Sequence, residues 1–161
     1  MLPRVPAAGP PGGARDDDMR SLSRPASVLL TLVLAACDSP ATTRLEDAAR
    51  AAAEQWLERS DAGDHAGTWE VGAPVFKVTI RKEQWEARQT TSYRQLGVPD
   101  RRELIAVKHT TSVPGLDRGD YVVIQYRRPV WSVNTVIETL VMQRAGEGWR
   151  TAMYNLLPSP K

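Results

Sequence analysis

The hydrophobic pattern of this 161-residue chain changes its period at Pro99. Between Thr43 and Pro99, most apolar residues recur every three or four positions, which is the period of an amphipathic helix. After Pro99 they begin to alternate with polar residues, as in a strand that buries one face. Helices followed by an uninterrupted antiparallel run of strands predict an α+β fold, with the helices packed on one face of a curved sheet.

The first part of the domain contains three helical segments and one ambiguous segment. Thr43 and Glu46 have the spacing of a capping box, which predicts the start of a long helix. Asp64 is placed to cap a second, short helix, and residues 82–97 form a further helical pattern ending at a glycine. Residues 74–80 alternate like a strand although they lie between helical segments, so their structure stays open.

The second part predicts roughly four strands joined by turns. Pro114-Gly115 and Gly146-Glu147-Gly148 are turn sequences. The predicted strands are a segment around Ile105 and Val107, then Tyr121–Tyr126, Val133–Met142 and Trp149–Leu157. The Tyr121–Tyr126 segment is rich in β-forming residues with little alternation, which predicts burial on both of its faces.

The first 36 residues are typical of segments that do not join a folded domain. Residues 1–18 are rich in proline and glycine and predict a disordered extension, or one included by an error in the start site, with translation beginning at Met19. Residues 19–36 have the layout of a secretory signal: basic residues, then an apolar run too short to span a membrane, then small residues.

Cys37 ends this segment in a pattern that resembles the lipobox of bacterial lipoproteins. The tetrapeptide Leu34-Ala-Ala-Cys37 implies cleavage between Ala36 and Cys37 and a lipid on the Cys37 thiol. The resemblance implies an exported protein attached to the membrane at the cell envelope, on the periplasmic face in a Gram-negative cell. Asp38 slightly favours the inner membrane. A tether over residues 37–43, a single domain over 44–157 and a tail over 158–161 complete the predicted organisation.

Composition excludes several classes of function. The net charge of +2 does not provide the concentrated basic face that nucleic acid requires as a partner. One cysteine and two histidines do not supply a closed zinc site or an internal disulfide. The sequence therefore predicts no metal site and no cofactor, and it contains neither a phosphate-binding loop nor a dinucleotide glycine pattern.

Three polar residues lie on otherwise apolar strand faces and are candidates for a pocket. His109 shares its parity with Val107, Gln125 with Val123, and Glu138 with neighbouring apolar residues of its strand. The alternative is that each side chain is a structural group, hydrogen-bonded to backbone, hydroxyls or an arginine. Trp69 and Trp85 are further pocket candidates, but at helical spacing they favour the helix-facing core.

A different candidate surface follows the second strand. Arg127 and Arg128 stand near Trp131 in a segment predicted to form a hairpin. An aromatic side chain flanked by arginines suits contact with a protein or a lipid headgroup. The alternative is that Trp131 folds back onto the edge of the sheet.

The ordered set of motifs resembles one bacterial family, domain of unknown function 4019. The match covers nearly all of residues 44–157. The residues that carry it are Asp61-Ala-Gly-Asp64, Trp69, Phe76, Gln84-Trp85, Leu96-Gly97, Pro114-Gly115, Tyr121-Val-Val-Ile-Gln-Tyr126, Glu138-Thr139 and Trp149. The resemblance implies a cone-shaped fold similar to the nuclear-transport-factor-2-like or cystatin-like folds, and it implies no activity. The segment from Arg127 to Trp131 departs from the family pattern.

Two functions are consistent with these features. The sequence favours a non-catalytic, lipid-anchored module that binds an envelope protein or a small ligand, with no catalytic residue. The alternative is a small-molecule enzyme, an isomerase or hydratase, that uses Glu138 or His109 as acid and base in the cone pocket. The two differ in whether those side chains converge inside a concavity.

Overall fold

The computed structural model describes residues 39–130 and 134–159. In these ranges four helices precede four strands: α1 (Pro40–Asp61), α2 (His65–Glu70), α3 (Pro74–Thr79), α4 (Lys82–Leu96), β1 (Glu103–Thr110), β2 (Tyr121–Val130), β3 (Asn134–Ala145) and β4 (Gly148–Pro158). The strands form one antiparallel sheet in the order β1-β2-β3-β4. The predicted α+β fold is confirmed, while its likeness to a nuclear-transport-factor-2-like cone stays a prediction.

Several predicted features lie outside the described residues. They are the extension and signal over residues 1–36, the cleavage site between Ala36 and Cys37, Asp38, and the aromatic residue Trp131. Among the residues that the structure does describe, none of the helices has both the length and the apolar character to cross a membrane.

Helix α1 begins earlier than its sequence pattern predicts. Ser39 is the N-cap, and its hydroxyl accepts a hydrogen bond from the backbone N–H of Thr42 at 3.2 Å. The capping box predicted at Thr43 and Glu46 is therefore wrong. The Glu46 carboxylate instead accepts the backbone N–H of His109 at 2.7 Å, which connects α1 to β1. Residues 40–43 of the predicted tether belong to the first turn of the helix.

The ambiguous segment over residues 74–80 is mostly helical. Pro74 stands in the first turn of α3, where its missing N–H and fixed φ are tolerated. Phe76 is buried, whereas Val78 is 88% exposed, so the alternation of apolar residues does not mark a strand face. Helix α4 ends as predicted at Gly97, whose φ of 74° is unfavourable for other residues.

The main core lies between the helices and one face of the sheet, called here the inner face. Helix α1 contributes Ala49 and Ala53, both 0% exposed. Their small side chains let the α1 backbone lie close to the sheet. The larger members of this core are Trp56, Leu57, Phe76, Trp85, Val122, Ile124, Tyr126, Leu140, Met142, Trp149 and Tyr154.

A second, smaller cluster covers part of the opposite face of the sheet. It contains Ala73, Val113, Tyr121, Val141 and Ala152, with Leu116 packed against it. The loop between β1 and β2 and the segment before α3 supply the covering residues. Tyr121 and its neighbour Val122 are both buried although they point to opposite faces, which agrees with the predicted burial of this strand on both sides.

The close approach of α1 to the sheet predicts a size limit at Ala53. Ala53→Leu adds three carbon atoms to a filled interior and should lower the free energy of unfolding by about 1–3 kcal/mol. Ala51→Leu, on the exposed face of the same helix, is the matched control and should change it little. Chemical denaturation of both variants measures the difference. Equal stabilities would mean that α1 does not pack as described.

Candidate functional site

The helical tryptophans belong to the core and its edge. The indole N–H groups of Trp56 and Trp85 both donate to Thr68, to its carbonyl at 3.0 Å and its hydroxyl at 2.9 Å. Trp69 is partly buried and donates to the Ile80 carbonyl at 2.9 Å. The core interpretation of Trp85 is therefore confirmed, although Trp85 also lines a surface cleft beside β4.

Glu138 lies at the centre of a buried ionic network. Its side chain is fully buried on the inner face, where it forms an ion pair with Arg102. The Tyr154 hydroxyl donates to Glu138 Oε1 at 2.6 Å. The same Arg102 guanidinium also binds Asp61 at the end of α1, with N–O distances of 2.5 and 2.9 Å. One arginine thus joins α1 to β3 and lies between two carboxylates.

The network continues through α4 and β2. Tyr93 donates to Asp61 Oδ1 at 2.6 Å, and the Arg128 guanidinium lies 5.5 Å from the centre of the Tyr93 ring. Arg128 also donates to the carbonyl of Gly97 at the end of α4. Two arginines and two carboxylates lie together, so the charges of the network balance. No sequence pattern indicated Arg102, because its partners are distant along the chain.

The predicted exposure of Arg128 is wrong, whereas Arg127 is on the surface. Strand β2 continues to Val130 instead of turning, and its even-numbered residues face the helices, so the Arg128 side chain enters the interior with 1% exposure. Arg127 points to the opposite face and forms an exposed ion pair with Glu103 at 3.1 Å. The contact surface predicted over Arg127, Arg128 and Trp131 therefore loses one of its arginines.

The environment shifts the pKa values of the groups that surround Glu138. Burial would raise the pKa of Asp61, but hydrogen bonds from Arg102 and Tyr93 outweigh it and lower that pKa. Burial, reinforced by the Glu138 carboxylate, raises the pKa of the Tyr154 hydroxyl well above its usual value. Tyr154 therefore remains a hydrogen-bond donor and Asp61 remains ionised at neutral pH, which keeps the network intact.

The three polar pocket candidates do not converge. His109 is paired with Val122, and Glu138 with Tyr126. The two partners are four residues apart on β2, so His109 and Glu138 are separated by about 13 Å along the sheet. The His109 imidazole lies 3.2 Å from Asp120.

Gln125 is separated from Glu138 by the sheet itself. It lies on the face of the sheet opposite to Glu138, where its amide donates to the Thr139 hydroxyl at 3.3 Å. The expectation that His109, Gln125 and Glu138 line one cavity is therefore wrong. Alternation within one strand does not show which residues of the neighbouring strand lie on the same face of the sheet. That assignment requires the pairing register.

An apolar cleft of about 290 Å³ lies beside β4, which is an edge strand of the sheet. It is called here the β4 cleft. Its lining residues are Phe76, Thr79, Ile80, Trp85, Arg88, Gly115, Leu116, Ala152, Met153, Tyr154 and Asn155. Of the predicted pocket residues, only Trp85 lines it. The sequence indicated the other lining residues only as members of helices, turns and strands.

A few buried polar atoms have no hydrogen-bond partner among the described residues. They include both amide atoms of Gln89, Nε and Nη1 of Arg128, and the Tyr126 hydroxyl. Gln89 lies one helical turn after Trp85 and one before Tyr93, on the inner side of α4. Groups of this kind are normally hydrogen-bonded in folded proteins, so the region between α4 and β2 holds polar atoms that the described contacts leave unpaired.

The model of a protein family described as "Protein of unknown function (DUF4019)" matches residues 52–154. The chain belongs to this family. The matched range begins within α1 and ends within β4, so the DUF4019 domain includes Arg102, Glu138 and most of the β4 cleft. The resemblance found in the sequence is thereby confirmed, and the family gives no activity. A comparison with curated proteins returns no match.

The buried network predicts a large effect of Glu138→Gln. The substitution preserves shape but leaves a positive charge uncompensated, and it should lower the free energy of unfolding by about 3–5 kcal/mol. Glu103→Gln breaks the exposed ion pair with Arg127 and should cost less than about 1 kcal/mol. Denaturation of both variants at neutral pH measures the contrast. Similar losses would show that the buried pair does not stabilise the fold.

Proposed function

We propose that the chain is an exported lipoprotein, anchored to the bacterial envelope through Cys37, whose DUF4019 domain is a non-catalytic binding module. The main support for a non-catalytic domain is the pairing of Glu138 with both Arg102 and Tyr154. The partner is an envelope protein or a small ligand. A net charge of +2 argues against nucleic acid.

An acid or base must reach the reacting atoms in order to transfer a proton. Both oxygens of Glu138 are occupied within the protein, and the side chain is fully buried. His109, the other candidate, lies about 13 Å along the sheet. These two facts argue against the isomerase or hydratase alternative, because its acid and base would act far apart.

The anchor is supported by the order of features at the beginning of the sequence. Basic residues, an apolar run and small residues precede Cys37, in the order that export and lipidation require. Asp38 slightly favours retention at the inner membrane, with the domain on the periplasmic face in a Gram-negative cell. Several acyl chains at about 0.8 kcal/mol per buried methylene would hold such a protein firmly on a lipid surface.

Binding is supported by the β4 cleft. Phe76, Ile80, Leu116 and Met153 give it an apolar lining, and its volume of about 290 Å³ suits one or two side chains or a small ligand. Of the buried ionic network, Tyr154 lines the cleft, whereas the charged groups Asp61, Arg102 and Glu138 do not.

The anchor predicts the behaviour of Cys37→Ala in a bacterial host. The variant should fail to incorporate a labelled fatty acid and should leave the membrane fraction, because Cys37 is the chain's one cysteine. Asp38→Ser keeps the thiol and is the matched control, which should retain the label. Membrane attachment of the Cys37→Ala protein would contradict the lipid anchor.

Binding at the β4 cleft predicts site-specific crosslinking in intact cells. A photoreactive amino acid at Thr79, which lines the cleft and is exposed, should capture a discrete partner upon irradiation. The same amino acid at the exposed Glu147, in the turn between β3 and β4, is the control. Equal adduct patterns from the two positions, or none from Thr79, would contradict a binding function for this cleft.

A further inference from the structure

We propose that the free edge of β4 binds an extended segment of a partner protein as an additional strand, with an apolar side chain in the β4 cleft and a carboxylate near Arg88. This inference rests on the proposed binding function and specifies the class of partner. It follows from the hydrogen-bonding direction of β4, the position of the cleft and the charge of its rim.

The register of the sheet determines which backbone groups of β4 are free. Strand β4 pairs with β3 on one side and ends the strand order on the other. The Ser159 N–H donates to the Thr135 carbonyl at 3.0 Å, so Ser159 directs its backbone groups toward β3. Because these directions alternate along an antiparallel strand, Tyr154 and Leu156 direct their N–H and C=O groups away from β3.

The chain itself already occupies one position of this edge. The Ala73 N–H donates to the Thr151 carbonyl at 2.9 Å. Thr151 faces outward because the register shift between Val141 and Met142 inserts one extra residue in β4 and changes the alternation. The pairing stops there because α3 begins at Pro74 and directs the chain away from the strand.

The next outward-facing positions lie beside the β4 cleft. Among the described residues, no backbone or side-chain group of another element hydrogen-bonds to the backbone of Tyr154 or Leu156. The cleft extends along Ala152 to Asn155, between this edge and helices α3 and α4. An edge with free backbone groups next to an apolar groove is the arrangement that recognises a peptide by strand addition.

The chemistry of the cleft specifies the segment. Alternate side chains of an added strand point to one face, so one apolar residue would meet Phe76 and Ile80. Arg88 is exposed at the cleft and forms no ion pair with any residue that the structure describes, so it favours a carboxylate. Pro158 has no N–H and limits the pairing to a short segment.

The test uses the protein purified in mild detergent and a synthetic peptide library. Each nine-residue peptide alternates Thr and Val, with Leu or Ile at its centre and Asp at varied flanking positions. Fluorescence anisotropy should identify members that bind, whereas scrambled peptides and peptides with N-methylated alternate amides should not bind. Leu156→Pro removes one edge N–H without affecting the bonds to β3, so the fold should persist.

Leu156→Pro should weaken binding about tenfold, the loss expected for one or two hydrogen bonds. Leu156→Ala, which keeps the N–H, is the matched control for the lost side chain and should weaken binding less than about threefold. Arg88→Glu should weaken the Asp peptides, and replacing their Asp by Lys should restore the affinity. Thermal unfolding of each variant verifies that it is folded.

Four outcomes would overturn the inference. They are the absence of any binding member, equal affinity of N-methylated peptides, equal affinities of Leu156→Pro and Leu156→Ala, and dimerisation through β4 in place of peptide binding. Crosslinking at Thr79 without peptide binding would refute strand addition and leave the proposed function standing. Peptide binding without crosslinking in cells would support the edge site and count against the proposed function.

Discussion

The contact between Arg102 and two carboxylates is the interaction on which the arrangement of the domain depends. Arg102 lies in the connection between α4 and β1, and it binds Asp61 at the end of α1 and Glu138 on β3. Removing these charges from water is costly, and the hydrogen bonds from Tyr93 to Asp61 and from Tyr154 to Glu138 offset part of that cost. The network thus specifies how the helical layer meets the sheet, beyond what the apolar core provides.

In this architecture the buried charges and the surface where binding is proposed are different sites that share Tyr154. A buried carboxylate in a fold of this kind is an obvious catalytic candidate, yet Glu138 is held by groups from two other parts of the chain. The β4 cleft lies at the sheet edge, and neither Glu138 nor Arg102 lines it.

The spacing of apolar residues predicted the architecture because it reports the secondary structure that each segment prefers. In this domain that spacing is regular along most helices and strands. It identified three of the four described helices, the four strands and the end of α4 at Gly97, but it left open the segment that forms α3. Periodicity failed where contacts between distant parts of the chain determine the local structure. Glu46 binds the backbone of His109 instead of capping α1. Strand β2 extends to Val130, and this extension places the Arg128 side chain in the interior. The structural interpretation of Glu138 expected backbone, hydroxyl or arginine partners, and the observed partners are Arg102 and Tyr154. Arg102 lies 36 residues away, so only the folded chain identifies it.

The early start of α1 has a mechanical consequence. Ser39 is the N-cap of α1, so a single residue, Asp38, lies between Cys37 and the N-cap in the sequence. With a lipid on that cysteine, the domain would stay close to the surface of the bilayer that holds its anchor. It could rotate about the anchor but could not move far from the membrane. Such a protein meets partners that diffuse laterally in the same membrane more often than those dispersed through the surrounding compartment.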